Sequence, residues 1–226
     1  MKIGVIGTGT VGQTIAAALA DKKHDVLIGT RDPKATMARD AGGPMGGGPF
    51  RDWAAAHPAI GLRTIREAAS HGELVFFATQ GASAVAAVQA AGAALDGKIV
   101  VDISNPLDFS KGFPPFLFVA NTDSLGEQMQ QAAPQARVVK SLNTVTAALM
   151  VNPRALAGGA HTMFVAGNDA DAKATVTTFL MEQFGWSDVV DIGGIEAARA
   201  TESLLLPWTR LYGALKTPLF GFHVVR

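Results

Sequence analysis

The feature that most constrains this chain is a glycine pattern near its start, Gly7-Thr8-Gly9-Thr10-Val11-Gly12, a G-x-G-x-x-G run. It directly follows a β-branched stretch, Lys2–Ile6, and opens an alanine-rich helical pattern, Val11–Ala20. In that setting each glycine has a physical task. Gly7 permits a tight turn, Gly9 lets a pyrophosphate approach the backbone, and Gly12 lets the helix pack closely on the strand. The helix start then offers unpaired N–H groups and the positive end of its dipole to phosphate. Gly7, Thr8, Gly9, Thr10, Val11 and Gly12 are therefore read as a dinucleotide-binding turn.

The remainder of the chain repeats the same rhythm. Further short apolar runs occur at Val26–Ile28, Leu74–Ala78, Ile99–Ile103, Val138–Lys140, Thr162–Val165 and Val189–Ile192. Runs this continuously apolar suit a parallel sheet covered on both faces. Between them lie helical patterns at Thr64–Ser70, Ser83–Ala91, Ser124–Ala132 and Asp171–Phe184. The alternation predicts an α/β fold of Rossmann type, with a doubly wound, mostly parallel sheet. Two later strands extend that sheet. We divide the chain into a dinucleotide-binding domain, residues 1–194, and a small C-terminal helical element, residues 195–226, that supplies a pocket wall or a dimer contact.

Three stretches depart from the rhythm. Ala41–Phe50, AGGPMGGGPF, is read as a loop, either a surface excursion or a flap over the cofactor. Asn105–Asn121 carries Phe109, Phe113, Phe116 and Phe118 after a predicted strand, so it belongs at the sheet's carboxyl edge. It is either a lid on a pocket or a satellite hydrophobic cluster. In the last segment, Leu204, Trp208, Leu211 and Leu215 form one helical stripe widened by Leu205 and Tyr212, and Pro207 is expected to kink it. A surface that apolar calls for cover, and a homodimer is expected.

The end of the second strand bears on which dinucleotide is bound. An NAD site usually places a carboxylate there for the ribose, but Val26-Leu27-Ile28 runs into Gly29-Thr30-Arg31. Thr30 can donate its hydroxyl, Arg31 can pair with a 2′-phosphate through its planar fork, and Lys34 is a further cation. Asp32 reads as a helix cap before Pro33. NADP(H) is the expected cofactor. Candidate polar groups at other strand ends are Thr79-Gln80, Asp102 with Ser104-Asn105, and Lys140-Ser141-Leu142-Asn143-Thr144, each of which could equally cap or turn the chain.

Composition excludes several other classes. With 48% hydrophobic residues in 226, the chain can bury a core and is not disordered. Nineteen basic side chains balance nineteen acidic ones, so the basic surplus of a nucleic-acid binder is lacking. The absence of cysteine removes disulfides and thiolate chemistry, and the five scattered histidines (His24, His57, His71, His161, His223) make no zinc-ligand spacing. No targeting or membrane-spanning stretch is visible, which gives a cytoplasmic expectation with small molecules as partners. The lone tyrosine, Tyr212, lies in the C-terminal helical stripe. Scarcity of acids and bases suits a flavin-like acceptor that takes a hydride directly, with Asn143 as a positioning candidate and no catalytic acid or base. The alternatives are a reductase of a small carbonyl or imine substrate and a non-catalytic NADP-binding sensor.

KIGVIGTGTVG, VLIGTRDP, IVVDISNPLDF and VVKSLNT together resemble the NADP reductases that use the deazaflavin coenzyme F420. They are also similar to the cytosolic reductase domain of the six-transmembrane metalloreductases. The resemblance extends to DIGGIEAARATESLLL, Asp191–Leu206. It implies NADP(H) as cofactor, with F420 or a flavin as second substrate. It also implies that Thr8 to Val11 touch the pyrophosphate, that Thr30 and Arg31 hold the 2′-phosphate, and that Thr79, Gln80, Asn143 and Thr144 lie near the nicotinamide. Two features depart from the deazaflavin reductases: the glycine-rich insert and Asn143, where those enzymes often carry histidine.

Overall fold

The computed structural model describes residues 1–40 and 48–226, in which strands and helices alternate along the chain. The first half runs β1 (Lys2–Ile6), α1 (Thr10–Asp21), β2 (Asp25–Thr30), α2 (Pro33–Ala38), α3 (Phe50–Ala56), β3 (Gly61–Thr64), α4 (Ile65–His71), β4 (Leu74–Phe77) and α5 (Gly81–Ala91). It continues through β5 (Ile99–Asp102), β6 (Leu107–Asp108), β7 (Phe116–Leu117), α6 (Leu125–Ala132), β8 (Arg137–Ser141) and α7 (Ala147–Val151). The last elements are β9 (Met163–Ala166), α8 (Ala170–Phe179), β10 (Val189–Asp191), α9 (Ala198–Ser203) and α10 (Leu205–Leu215).

Eight strands form one sheet in the order β10-β9-β8-β5-β4-β1-β2-β3, parallel throughout except between β8 and β9. Strand order reverses between β1 and β4, and in open sheets of this kind ligands bind outside the carboxyl ends at that point. The expected doubly wound sheet with two added strands, β9 and β10, is present. Its central strands are buried on both faces. In β4 all of Leu74, Val75, Phe76 and Phe77 are buried, Phe76 entering the core under α1 and α8, Val75 and Phe77 the core under α4 and α5. α4 lies almost on the backbone of β1, because a Cβ on Gly4 would come within 2.4 Å of the Ala68 carbonyl oxygen. No helix among the described residues is long and apolar enough to cross a membrane.

Several elements differ from their sequence expectation, each for a local reason. Thr64 ends an edge strand instead of starting the helix. β3 pairs only with β2 and carries a single large apolar side chain, Leu62, so it has little strand signal. Thr64 then caps α4 through a reciprocal capping box with Glu67. The Asn105–Asn121 stretch folds back as the β6–β7 hairpin. α8 ends at Phe179 and continues as one π-helical turn, Leu180–Phe184, which stops on Gly185 at φ 84°. The expected loop 41–50 falls mainly on residues outside the described part; its last residue, Phe50, is buried and opens α3. The C-terminal helix breaks at Leu204. That break matches Pro207, which has no N–H to donate to Ser203, four residues earlier.

Candidate functional site

At the switch point a cleft of about 650 Å³ opens between the glycine turn, the end of β2, and the start of α5. Gly7, Thr8 and Gly9 line it, whereas Thr10, Val11 and Gly12 do not. Gly7 sits at φ +127°, and a Cβ there would lie 2.5 Å from the Ala78 carbonyl oxygen. At Gly12 a Cβ would lie 2.1 Å from the Gly7 carbonyl oxygen, so helix and turn touch backbone to backbone. Gly9 faces open space, with nothing within 4 Å of a Cβ placed there, and as N-cap of α1 it leaves the first turn without a side-chain cap. The turn is held by Gln13, itself a lining residue, whose Nε2 donates to the Thr8 carbonyl at 2.8 Å. Such a cradle of open backbone in front of a free helix start fits a pyrophosphate. We expect Gly12→Ala to push the helix start from the glycine turn at a cost of about 1–3 kcal/mol, the range for overpacking, visible as a lowered melting temperature.

The second strand's end brings further groups to the same cleft. Thr30 and Thr36 share a hydroxyl–hydroxyl hydrogen bond of 2.9 Å, with Thr36 buried beneath. Asp32 caps α2 by accepting from the Ala35 N–H at 3.0 Å, as its position before Pro33 predicts. That cap sets the face of α2 turned to the cleft. Ala35 and Arg39 line it beside Arg31, while Lys34 is exposed and outside the lining. Sequence reasoning missed Arg39, Gln13 and Phe50. Arg39 follows Ala35 by four residues, a spacing that places both on one helical face once the cap is known.

The third wall is β4's exit. Thr79 and Gln80 line the cleft, and the Thr79 hydroxyl is buried there without a partner. α5 then starts so close to the end of β5 that a Cβ on Gly81 would come within 2.1 Å of the Asn105 carbonyl oxygen. Asn105 and Asn143 are not in the cleft lining but form a reciprocal bridge beside it. Asn105 Nδ2 donates to the Asn143 carbonyl at 3.0 Å, and Asn143 Nδ2 donates to Asn105 Oδ1 at 2.9 Å. The structure thus brings Thr79, Gln80, Asn105 and Asn143 to one sheet edge. Lys140, expected in the same polar cluster, is instead wholly buried between Asp102 and Glu202.

A family model described as NADP oxidoreductase, coenzyme F420-dependent, matches residues 2–106. Metalloreductase STEAP3 of Rattus norvegicus is 26% identical over 218 residues, which are 96% of this chain but 38% of that protein, so the chain spans well under half of this curated relative. A solved structure from Arthrobacter sp. FB24, described as a candidate F420-dependent NADP-reductase, is 56% identical with complete coverage of both chains and a TM-score of 0.94. The imine reductase of Myxococcus stipitatus is 15% identical, covers 95% of this chain and 63% of its own, and has a TM-score of 0.61, a likeness of fold alone. With 56% identity over its whole length to a structure of that description, this chain belongs to the family of coenzyme F420-dependent NADP oxidoreductases.

Proposed function

We propose that this protein passes a hydride between the nicotinamide of NADP(H) and a flavin-like acceptor, with the deazaflavin F420 first in order and FMN or FAD after it. One observation carries the reading. The glycine cleft runs up to a crevice edge built of amides and hydroxyls, in which no acid and base face each other among the described residues. Asp32, the single carboxylate among the described lining residues, is occupied as a helix cap. NADPH supplies the reducing hydride. The chain's own part is to hold and align: Gly7 to Gly9 and the start of α1 at the pyrophosphate, Thr30 with Arg31 and Arg39 at the 2′-phosphate, Thr79 and Gln80 near the nicotinamide. Positioning alone supplies a large share of rate in such a reaction.

The test is an acceptor screen following NADPH absorbance, with F420, FMN, FAD, quinones and ferric chelates. Turnover with F420 or a flavin supports the reading. Oxidation only with small carbonyl or imine substrates replaces it with that alternative, and NADPH binding without any acceptor-dependent oxidation replaces it with a sensor.

We also infer a homodimer whose contact uses the C-terminal helix. Leu211, Tyr212 and Leu215 stay exposed along α10, and the exposed Phe113 meets Tyr212 edge-on at 5.8 Å, so helix and hairpin loop form one continuous apolar face. Such faces on soluble proteins usually mark contacts. Light scattering is expected to give about twice the 23.4 kDa of one chain at micromolar concentration; a single-chain mass contradicts it.

A further inference from the structure

Beneath the Asn105–Asn143 bridge lies an ion cluster that the proposed reaction leaves without a task. Lys140 on β8 and Asp102 on β5 are register partners in neighbouring strands, both fully buried. The Lys140 ammonium donates to Asp102 Oδ2 at 2.8 Å, meets Glu202 Oε1 at 2.7 Å and donates to the Ser104 carbonyl at 2.5 Å, which uses all three of its protons. Asp102 Oδ1 accepts from the Ser104 N–H at 2.8 Å and from the Ser104 hydroxyl at 2.5 Å. Glu202, on α9, accepts from the Leu125 and Gly126 N–H groups at 2.9 and 3.0 Å, at the start of α6. The fit is close: a Cβ on Gly126 would come within 2.9 Å of the Ala198 Cβ on α9.

A buried cluster of two carboxylates and one ammonium is poor value as a source of stability, because desolvation consumes most of the attraction. What it does supply is direction. Ser104, whose backbone is fixed at both its N–H and its carbonyl, immediately precedes Asn105; Lys140 stands three residues before Asn143; and Glu202 brings α9, and α10 behind it, over the same strand ends. We propose that Lys140 is a positioning residue for the hydride transfer, fixing the Asn105–Asn143 bridge and the C-terminal helices as one unit against the acceptor. The assignment rests on the functional reading above for what is positioned, though not for the coupling itself. Burial works against the Lys140 charge, yet the carboxylates of Asp102 and Glu202 outweigh it and hold its pKa above the ordinary lysine value. With its folded pKa raised, the contribution is complete below the ordinary lysine range and is lost only as pH rises through the folded value. The unit is therefore locked across neutral pH.

The test compares wild type with Lys140→Met and with the double variant Lys140→Met/Glu202→Gln, which removes the unpaired charge at α6 if the single variant folds poorly. NADP(H) affinity is expected to stay within twofold, because Asp102, Ser104, Lys140 and Glu202 lie outside the described lining of the cleft. The turnover number at saturating acceptor is expected to fall about tenfold or more, the scale of a displacement below 1 Å. Without cofactor or acceptor, hydrogen exchange is expected to quicken in 103–106, 141–144 and α9 and to stay unchanged in α1 and β2. A variant that melts cooperatively, keeps the wild-type turnover number within threefold and keeps wild-type exchange in those segments overturns the proposal. Faster exchange with unchanged turnover also overturns it, leaving a structural role. A wild-type protein inactive with every acceptor defeats the functional reading instead, and the exchange pattern still decides the coupling.

Discussion

Arg31→Ala is expected to weaken NADP(H) binding by about ten- to 150-fold, the range for a hydrogen bond to a charged group, and to leave NAD(H) binding nearly unchanged. The difference arises because only NADP carries the 2′-phosphate, and the planar fork of arginine matches a phosphate through two parallel bonds. The structure sharpens the expectation through its neighbours. Arg39 lines the same cleft as Arg31, so Arg39→Ala should cost a smaller factor with the same selectivity for NADP. Lys34 stands outside the lining, so Lys34→Ala should change either affinity by less than about twofold, as for an exposed ion pair that contributes little. Thr30→Val should also discriminate, since it removes the hydroxyl paired with Thr36 at 2.9 Å. Titrations of both dinucleotides check the set. If Arg31→Ala weakens NAD and NADP alike, the arginine supports the site's shape and not the phosphate.

The contrast between Arg39 and Lys34 shows where sequence reading stops. The glycine turn could be read because its geometry admits few side chains: at Gly7 and Gly12 a Cβ would strike backbone oxygen at 2.5 and 2.1 Å. The Asp32 cap was legible for a similar reason, a carboxylate before proline at a helix start. The facing of α2 was not, because it depends on how that cap sets the helix against β2. The edge strand β3 was hidden by its polar alternation. Asn105 and Asn143 were recognisable as polar residues after strands, but their bridge spans 38 residues of chain. Lys140 was the most misleading. Its place in a polar run suggested a side chain in the crevice, whereas it shares the strand face of Val138 and points into the layer under α6 and α9. A buried lysine needs carboxylates, and one of them, Glu202, comes from a helix 62 residues further along, which spacing does not reveal.

At the crevice itself, Asn143→Ala is expected to lower turnover about ten- to a hundredfold while NADP(H) affinity holds, the effect of misplacing the reactants by about 1 Å. The loss should stay partial. Removing the Asn143 amide deletes its bond to Asn105 Oδ1, but Asn105 Nδ2 can still donate to the Asn143 backbone carbonyl, so half of the bridge survives. Asn105→Ala deletes both bonds and should therefore cost more than Asn143→Ala. A titratable acid or base taking part in the reaction predicts a pH-dependent limb instead. In the positioning account no protein group changes protonation, and the rate should be nearly flat across neutral pH. Two results would defeat it. One is a bell-shaped pH profile of kcat with no matching limb in the acceptor's own chemistry. The other is a single crevice substitution that abolishes turnover while both binding constants stay intact, because a positioning site loses rate in steps and only an essential acid, base or nucleophile is lost all at once.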